Sequence, residues 1–196
     1  MNLPNKITLS RICMIPIFVA IFFLDIIPFH FGIAAIIFAI AACTDFLDGH
    51  IARSRGLVTN LGKFLDPIAD KVLVSTAMIL ILTMSSSLFG MFGALATPIY
   101  IAITICICII MARELIISAF RQIAAANGII MAAEKLGKYK TACQDVAIFV
   151  LILAADIPMP VGQIVAYIGL GLFAVATVLT ILSGVSYVVK NKQVLK

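Results

Sequence analysis

The chain alternates long apolar runs with short polar breaks, and the runs are longer than a soluble core helix needs. A helix crossing the hydrocarbon of a bilayer takes about 20 apolar residues. Six runs approach or reach that length: roughly 7–26, 29–48, 64–84, 97–117, 141–155 and 161–189. The breaks are turn-forming. Asp25-Ile26-Ile27-Pro28 separates the first two runs, and Ser85-Ser86-Ser87 with a glycine-containing stretch separates the third and fourth. Asp156-Ile157-Pro158-Met159-Pro160 turns the last pair. The pattern predicts an all-α integral membrane protein: six transmembrane helices in one bundle, a single domain over residues 1–196. Pro4 suits either a bend between a short N-terminal membrane-surface segment and the first span or a plain helix start. Residues 121–140 are the most polar part of the chain. They read as an extension of the fourth helix followed by a loop with Asn127-Gly128 and Gly137.

Composition agrees with that class. The chain is 63% hydrophobic and 12% charged, where a soluble domain is near half apolar and about a quarter charged. The net charge of +5 does not call for nucleic acid, because basic residues flanking spans set orientation and attract anionic headgroups. In a six-span arrangement all 14 basic residues fall on one side, and the other side carries Asp25 and Asp156. The spans were drawn from hydropathy alone, so this asymmetry is an independent check. It puts both termini in the cytoplasm. Five cysteines in or beside apolar runs show no disulfide framework or zinc spacing.

On the same cytoplasmic side lie four aspartates: Asp45 and Asp48 within Asp45-Phe46-Leu47-Asp48-Gly49-His50-Ile51-Ala52-Arg53, then Asp66 and Asp70 beyond Gly62. A helix turns about 100° per residue, so Asp45, Asp48, Gly49 and Ala52 share one stripe, and Gly62, Asp66 and Asp70 another. Asp66-Pro67 places proline in the first turn of the third helix. A lone aspartate near a span end is more often a helix cap, or a partner here for Arg53, Arg55, Lys63 or Lys71. Four on adjoining helices repel one another unless cations intervene. Hard oxygen donors suit Mg²⁺ or Mn²⁺, and a pair of such ions can clamp a phosphoryl group. An ion-coupled transporter would instead spread its acids along a mid-membrane path and show inverted halves. These acids cluster at one end.

The spacing Asp-x2-Asp-Gly-x2-Ala-Arg-x8-Gly-x3-Asp-x3-Asp, met in full from Asp45 to Asp70, resembles that of the CDP-alcohol phosphotransferase family. Further blocks look like its members that use sn-glycerol 3-phosphate. They are Asn2-Leu3-Pro4-Asn5-Lys6-Ile7-Thr8-Leu9-Ser10-Arg11, Asp66-Pro67-Ile68-Ala69-Asp70-Lys71, Ala112-Arg113-Glu114 and Gly137-Lys138-Tyr139-Lys140-Thr141. The resemblance implies a six-helix bundle, a homodimer, and a polar cavity open to the cytoplasm in the cell's inner membrane. It implies transfer of a phosphatidyl group from CDP-diacylglycerol to sn-glycerol 3-phosphate, giving phosphatidylglycerophosphate and CMP. Asp45, Asp48 and Asp66 would bind two divalent ions, Mg²⁺ or Mn²⁺. Asp70 would touch metal and take the proton of the attacking hydroxyl. Gly49, Ala52, Arg53 and Gly62, with Asn5 and Thr8 of the N-terminal segment, would lie at the nucleotide. The acceptor's phosphate needs cations of its own. Arg113 and Arg121 stand about 80° apart on a helix and can face one cavity, while Lys138 and Lys140 follow Gly137; the alternative for all four is an anchor for lipid headgroups. Glu114 could orient Arg113. The aspartate motif serves the shared donor, so it does not separate glycerol 3-phosphate from serine, inositol phosphate or phosphatidylglycerol as acceptor.

Overall fold

The protein is described by a computed structural model covering residues 3–54, 60–126 and 135–191, with side chains for 7–44, 68–124 and 136–191. Among these residues it is all-α. The helices are α1 (Leu3–Phe22), α2 (His30–Ser54), α3 (Asn60–Thr83), α4 (Ala96–Ala126), α5 (Lys135–Ala154) and α6 (Val161–Lys190). A 3₁₀ helix, Phe89–Leu95, leads into α4. Its Gly93 has φ +53°, a backbone state that a residue with a Cβ rarely adopts.

Each apolar run became a helix, and several helices continue past the run. α4 has 31 residues, about 46 Å of helix, which exceeds the roughly 30 Å of bilayer hydrocarbon. Its last turns therefore carry Arg121 beyond the apolar stretch. Three expectations are corrected. Leu3–Phe22 is one helix, so Pro4 and the apolar run from Ile7 belong to a single element. Pro4 sits in its first turn, where a missing N–H costs nothing and the helix starts rather than bends. Pro67 lies in the body of α3, because the polar residues from Asn60 already wind as helix. Gly137 is inside α5, not in a loop, and its carbonyl accepts the Thr141 hydroxyl at 3.1 Å.

On α6 the packing is small inside and large outside. The buried positions of α6 are mostly small or hydroxylic, among them Gly162, Ala166, Gly169, Ala176, Thr180 and Gly184. They let α5 approach closely along α6. The core gathers Phe18 and Phe22 of α1, Phe38 of α2, Ile81 of α3, Ile110 of α4, Ile148 and Leu151 of α5, and Phe173 of α6. Outward faces carry large apolar side chains, such as Ile36, Ile101, Leu115, Ile164 and Val185. Hydroxyls on the helices fold back on their own backbone, as Thr104 does on the Tyr100 carbonyl and Thr180 on that of Ala176. That satisfies them without water. Among the described residues, two helices, Phe89–Ala124 (the 3₁₀ turn with α4) and Val161–Lys190, are long and apolar enough to cross a membrane by length and composition.

The turns at the end away from the aspartate motif are pinned by the two acids found there. The Gly32 N–H donates to Asp156 Oδ2 at 2.6 Å, which places an anion at the N-terminus of α2. His30 Nε2 lies 3.3 Å from Asp25 Oδ1.

Candidate functional site

The site begins where α2 ends and α3 starts. Asp45, Asp48, Gly49, Ala52 and Arg53 are on α2, and Gly62, Asp66 and Asp70 on α3. The backbone is helical across both segments, so the i/i+3 and i/i+4 stripes inferred from spacing exist. The two helices pack against each other. The side chains of Asn5, Asp45, Asp48, Arg53 and Asp66, like the surroundings of Gly49, Ala52 and Gly62, lie outside the described residues.

Asp70 is described, and it lines a cavity of about 80 Å³ between α3, α4 and α5. From α3 come Asp70, Lys71, Val74, Ser75 and Met78, one face of a helix repeating at i, i+4 and i+8. α4 adds Met111, Glu114 and Leu115, and α5 adds Lys140, Thr141 and Gln144. The lining thus mixes four apolar side chains with two carboxylates, two ammonium groups, two hydroxyls and an amide.

Glu114 organises the polar part of the lining. Its Oε1 accepts from Lys140 Nζ at 2.6 Å and from Arg113 Nη1 at 3.0 Å. Lys140 is 3% exposed, so this carboxylate is what makes its burial tolerable. Arg113 Nη2 then donates to Ser183 Oγ of α6 at 3.0 Å. One acidic side chain therefore ties α4 to α5 directly and, through Arg113, to α6. The expected pairing of Glu114 with Arg113 is present. The Lys140 pairing was not foreseen, because the partners are 26 residues apart in the chain.

The four acceptor-side candidates are not all in one place. Lys140 lines the cavity, and Lys138, two residues before it, is exposed. Arg113 and Arg121 share a face of α4, as their spacing requires, but that face meets α6 and neither lines the cavity. Arg121 Nε donates to the Tyr187 hydroxyl at 3.1 Å, and its guanidinium carbon lies 5.2 Å from the centre of that ring. Arg121 and Lys140 are nonetheless near enough to Lys71 for their charges to interact, so both belong to the Asp70 end of the bundle. Thr8 is buried on α1.

Sequence reasoning missed two side chains. Arg11 is fully buried, and its Nε donates to Thr44 Oγ1 at 3.4 Å, one residue before the aspartate motif. Gln144 is 2% exposed, and its Oε1 has no partner among the described residues. A lone amide inside an apolar run, four residues after Lys140, was the available signal for the latter.

The carboxylates of the motif are oxygen donors, the type that hard divalent ions prefer. Of the four, Asp70 is the one whose side chain is described, and it opens on a cavity of about 80 Å³.

Known proteins agree with the motif. The family model for CDP-alcohol phosphatidyltransferase matches residues 1–188. The CDP-diacylglycerol–glycerol-3-phosphate 3-phosphatidyltransferase of Bacillus subtilis (strain 168) is 38% identical over 209 aligned residues, covering 100% of this chain and 97% of that protein. Proteins of the same name from Escherichia coli (strain K12) and Shigella flexneri serotype 5b are each 39% identical over 188 residues, covering 95% of this chain and 92% of theirs. A match of this extent, through the aspartate motif and both flanking helices, makes the chain a member of the CDP-alcohol phosphatidyltransferase family.

Proposed function

We propose that this protein transfers the phosphatidyl group of CDP-diacylglycerol to sn-glycerol 3-phosphate, releasing CMP and forming phosphatidylglycerophosphate. The observation that carries this reading is the position of Asp70. It is the last carboxylate of the complete motif and faces a cavity whose other polar groups suit a small phosphorylated alcohol. The full-length relatives named for this reaction support the choice of acceptor.

In this reading a hydroxyl of the acceptor enters the cavity and gives its proton to the Asp70 carboxylate. The oxygen forms a bond to the phosphorus that bears diacylglycerol. The bond from that phosphorus to the bridging oxygen breaks, and its electron pair leaves with CMP. Asp45, Asp48, Asp66 and Asp70 would hold two divalent ions, Mg²⁺ or Mn²⁺, which supply positive charge against the pyrophosphate and the departing phosphate. Gly49, Ala52 and Gly62 leave room for the nucleotide, Arg53 meets its phosphates, and Asn5 and Thr8 approach it from α1. Lys140 and Lys138, with Arg113 and Arg121, provide the cations for the acceptor's phosphate.

The chain is embedded with six spans, both termini and the aspartates on the cytoplasmic side of the cell membrane. The large apolar side chains on its outer faces then meet lipid, where they cost nothing to expose, or a second copy in a homodimer.

The test is CMP release by purified protein in detergent with CDP-diacylglycerol, Mg²⁺ or Mn²⁺, and one acceptor at a time. Release with glycerol 3-phosphate and its loss on chelation support the reading. Release only with serine or inositol phosphate replaces the acceptor and keeps the aspartate mechanism. Asp70→Asn should retain lipid-donor binding while turnover falls by about 10²–10⁴-fold. Full turnover in that variant removes Asp70 as the base.

A further inference from the structure

The geometry points to Tyr187 as a positioning residue that holds Arg121 for a phosphate monoester, an inference that rests on the acceptor reading above. A free arginine side chain samples many rotamers and loses that freedom when it binds. Arg121 does not begin free. Tyr187 Oη takes its Nε–H at 3.1 Å, and the Tyr187 ring lies 5.2 Å from the guanidinium carbon. The hydrogen bond occupies the Nε edge, and the ring holds the charge close by. They leave Nη1 and Nη2 without partners among the described residues, on a side chain that is exposed. That remaining edge is the paired-donor fork that matches two oxygens of a phosphate.

Tyr187 is itself fixed. It is 2% exposed and packs in a small cluster with Ile117, Phe120 and Ala124, its ring 6.3 Å from that of Phe120 at 70°. The neighbouring turn of α6 repeats the arrangement: Ser183 takes Arg113 Nη2 at 3.0 Å. Arg113 and Arg121 are two turns apart on α4, about 12 Å, whereas their anchors Ser183 and Tyr187 are one turn apart on α6, about 6 Å.

The experiment measures steady-state CMP release by the full-length protein in uncharged detergent, titrating glycerol 3-phosphate and CDP-diacylglycerol separately. Four proteins are compared: the wild type, Tyr187→Phe, Arg121→Ala and the double variant. Tyr187→Phe keeps the ring and its packing and deletes only the hydroxyl. The expected result is a three- to tenfold higher KM for glycerol 3-phosphate, with kcat and the KM for CDP-diacylglycerol within twofold of wild type. In the Arg121→Ala background the same substitution should change the KM for glycerol 3-phosphate by less than twofold, because the group it positions is gone. Equal effects on both KM values, or the same Tyr187→Phe effect with and without Arg121, would make the tyrosine a packing residue and overturn the inference. An unchanged KM for glycerol 3-phosphate, with turnover that instead becomes dependent on added anionic lipid, would assign the fork to a lipid headgroup and overturn it too. Wild-type protein that releases CMP only with an unphosphorylated alcohol would remove the acceptor reading and this inference with it. A Tyr187→Phe effect of the expected kind with a different phosphorylated alcohol would keep the inference and correct the acceptor. Should Arg121→Ala fail to fold, Arg121→Lys retains the charge and loses the fork, and serves as the background in its place.

Discussion

At the residue scale, the contact with the largest stability consequence is Glu114–Lys140. A buried ammonium is tolerated because a carboxylate is 2.6 Å away. Removing the carboxylate does not merely delete an interaction; it leaves Lys140, 3% exposed, as an unpaired charge. Glu114 is itself partly open to the cavity, so some screening remains. Glu114→Ala should therefore destabilise the protein by an amount near the low end of about 3–5 kcal/mol. Adding Lys140→Met should recover much of that loss, since both charges are then gone from the site. Thermal unfolding of the two single variants and the double in detergent checks this. A Glu114→Ala protein as stable as wild type would show that Lys140 swings out to water on its own. The same pair marks where sequence reading stops. Asp70 was legible as a site residue from a spacing of a few residues along one helix. The Glu114–Lys140 contact depends on how α4 and α5 are rotated against each other, and no local pattern encodes that.

At the element scale, the helices were legible because each apolar run is continuous, and their ends were not. Helical winding continues into polar residues that hydropathy leaves out, so α3 begins at Asn60 and α4 reaches Ala126. The common face of Arg113 and Arg121 was readable from the helical repeat. Its direction, toward α6, was set by Ser183 and Tyr187, 70 and 66 residues further on. The glycines of α6 give a graded test of how that helix packs. Gly171 has open space where a Cβ would go, and alanine is the better helix former, so Gly171→Ala should stabilise by up to about 1 kcal/mol. At Gly169 a Cβ would stand 2.8 Å from Leu151 Cδ2, and the leucine must repack, for a loss of about 1–3 kcal/mol. At Gly162 the new atom would overlap the backbone carbonyl of Ile157, which cannot turn away. The expected order of midpoints in circular-dichroism melts is Gly171→Ala above wild type, then Gly169→Ala, then Gly162→Ala. If Gly162→Ala melts with wild type, the α5–α6 turn is looser than this packing allows.

At the scale of the whole molecule, function and topology constrain each other through charge. Phosphorylated substrates are anions, and the basic residues of the chain fall on the aspartate side of a six-span arrangement. In the function proposed above, that concentration would serve two ends: it would orient the protein by the positive-inside rule, and it would attract the anionic acceptor to the cavity mouth. On the far side Asp25 and Asp156 are engaged with His30 and the α2 N-terminus, so they are fastenings of the turns. The arrangement makes a sharp prediction about sidedness. Ser86 is exposed in the turn between α3 and the 3₁₀ helix, and Gln122 is exposed near the far end of α4. With the five native cysteines replaced, Ser86→Cys in intact cells should react with a membrane-impermeant maleimide. Gln122→Cys should react only after permeabilisation. The reverse pattern would invert the protein and put the aspartates outside, where a cytoplasmic pool of glycerol 3-phosphate could not reach them. Reaction of both from outside would mean that α4 does not cross. Either result would break the proposed link between the charge pattern and the site, because Lys71 and Lys140, two of the basic residues in that pattern, line the cavity at Asp70.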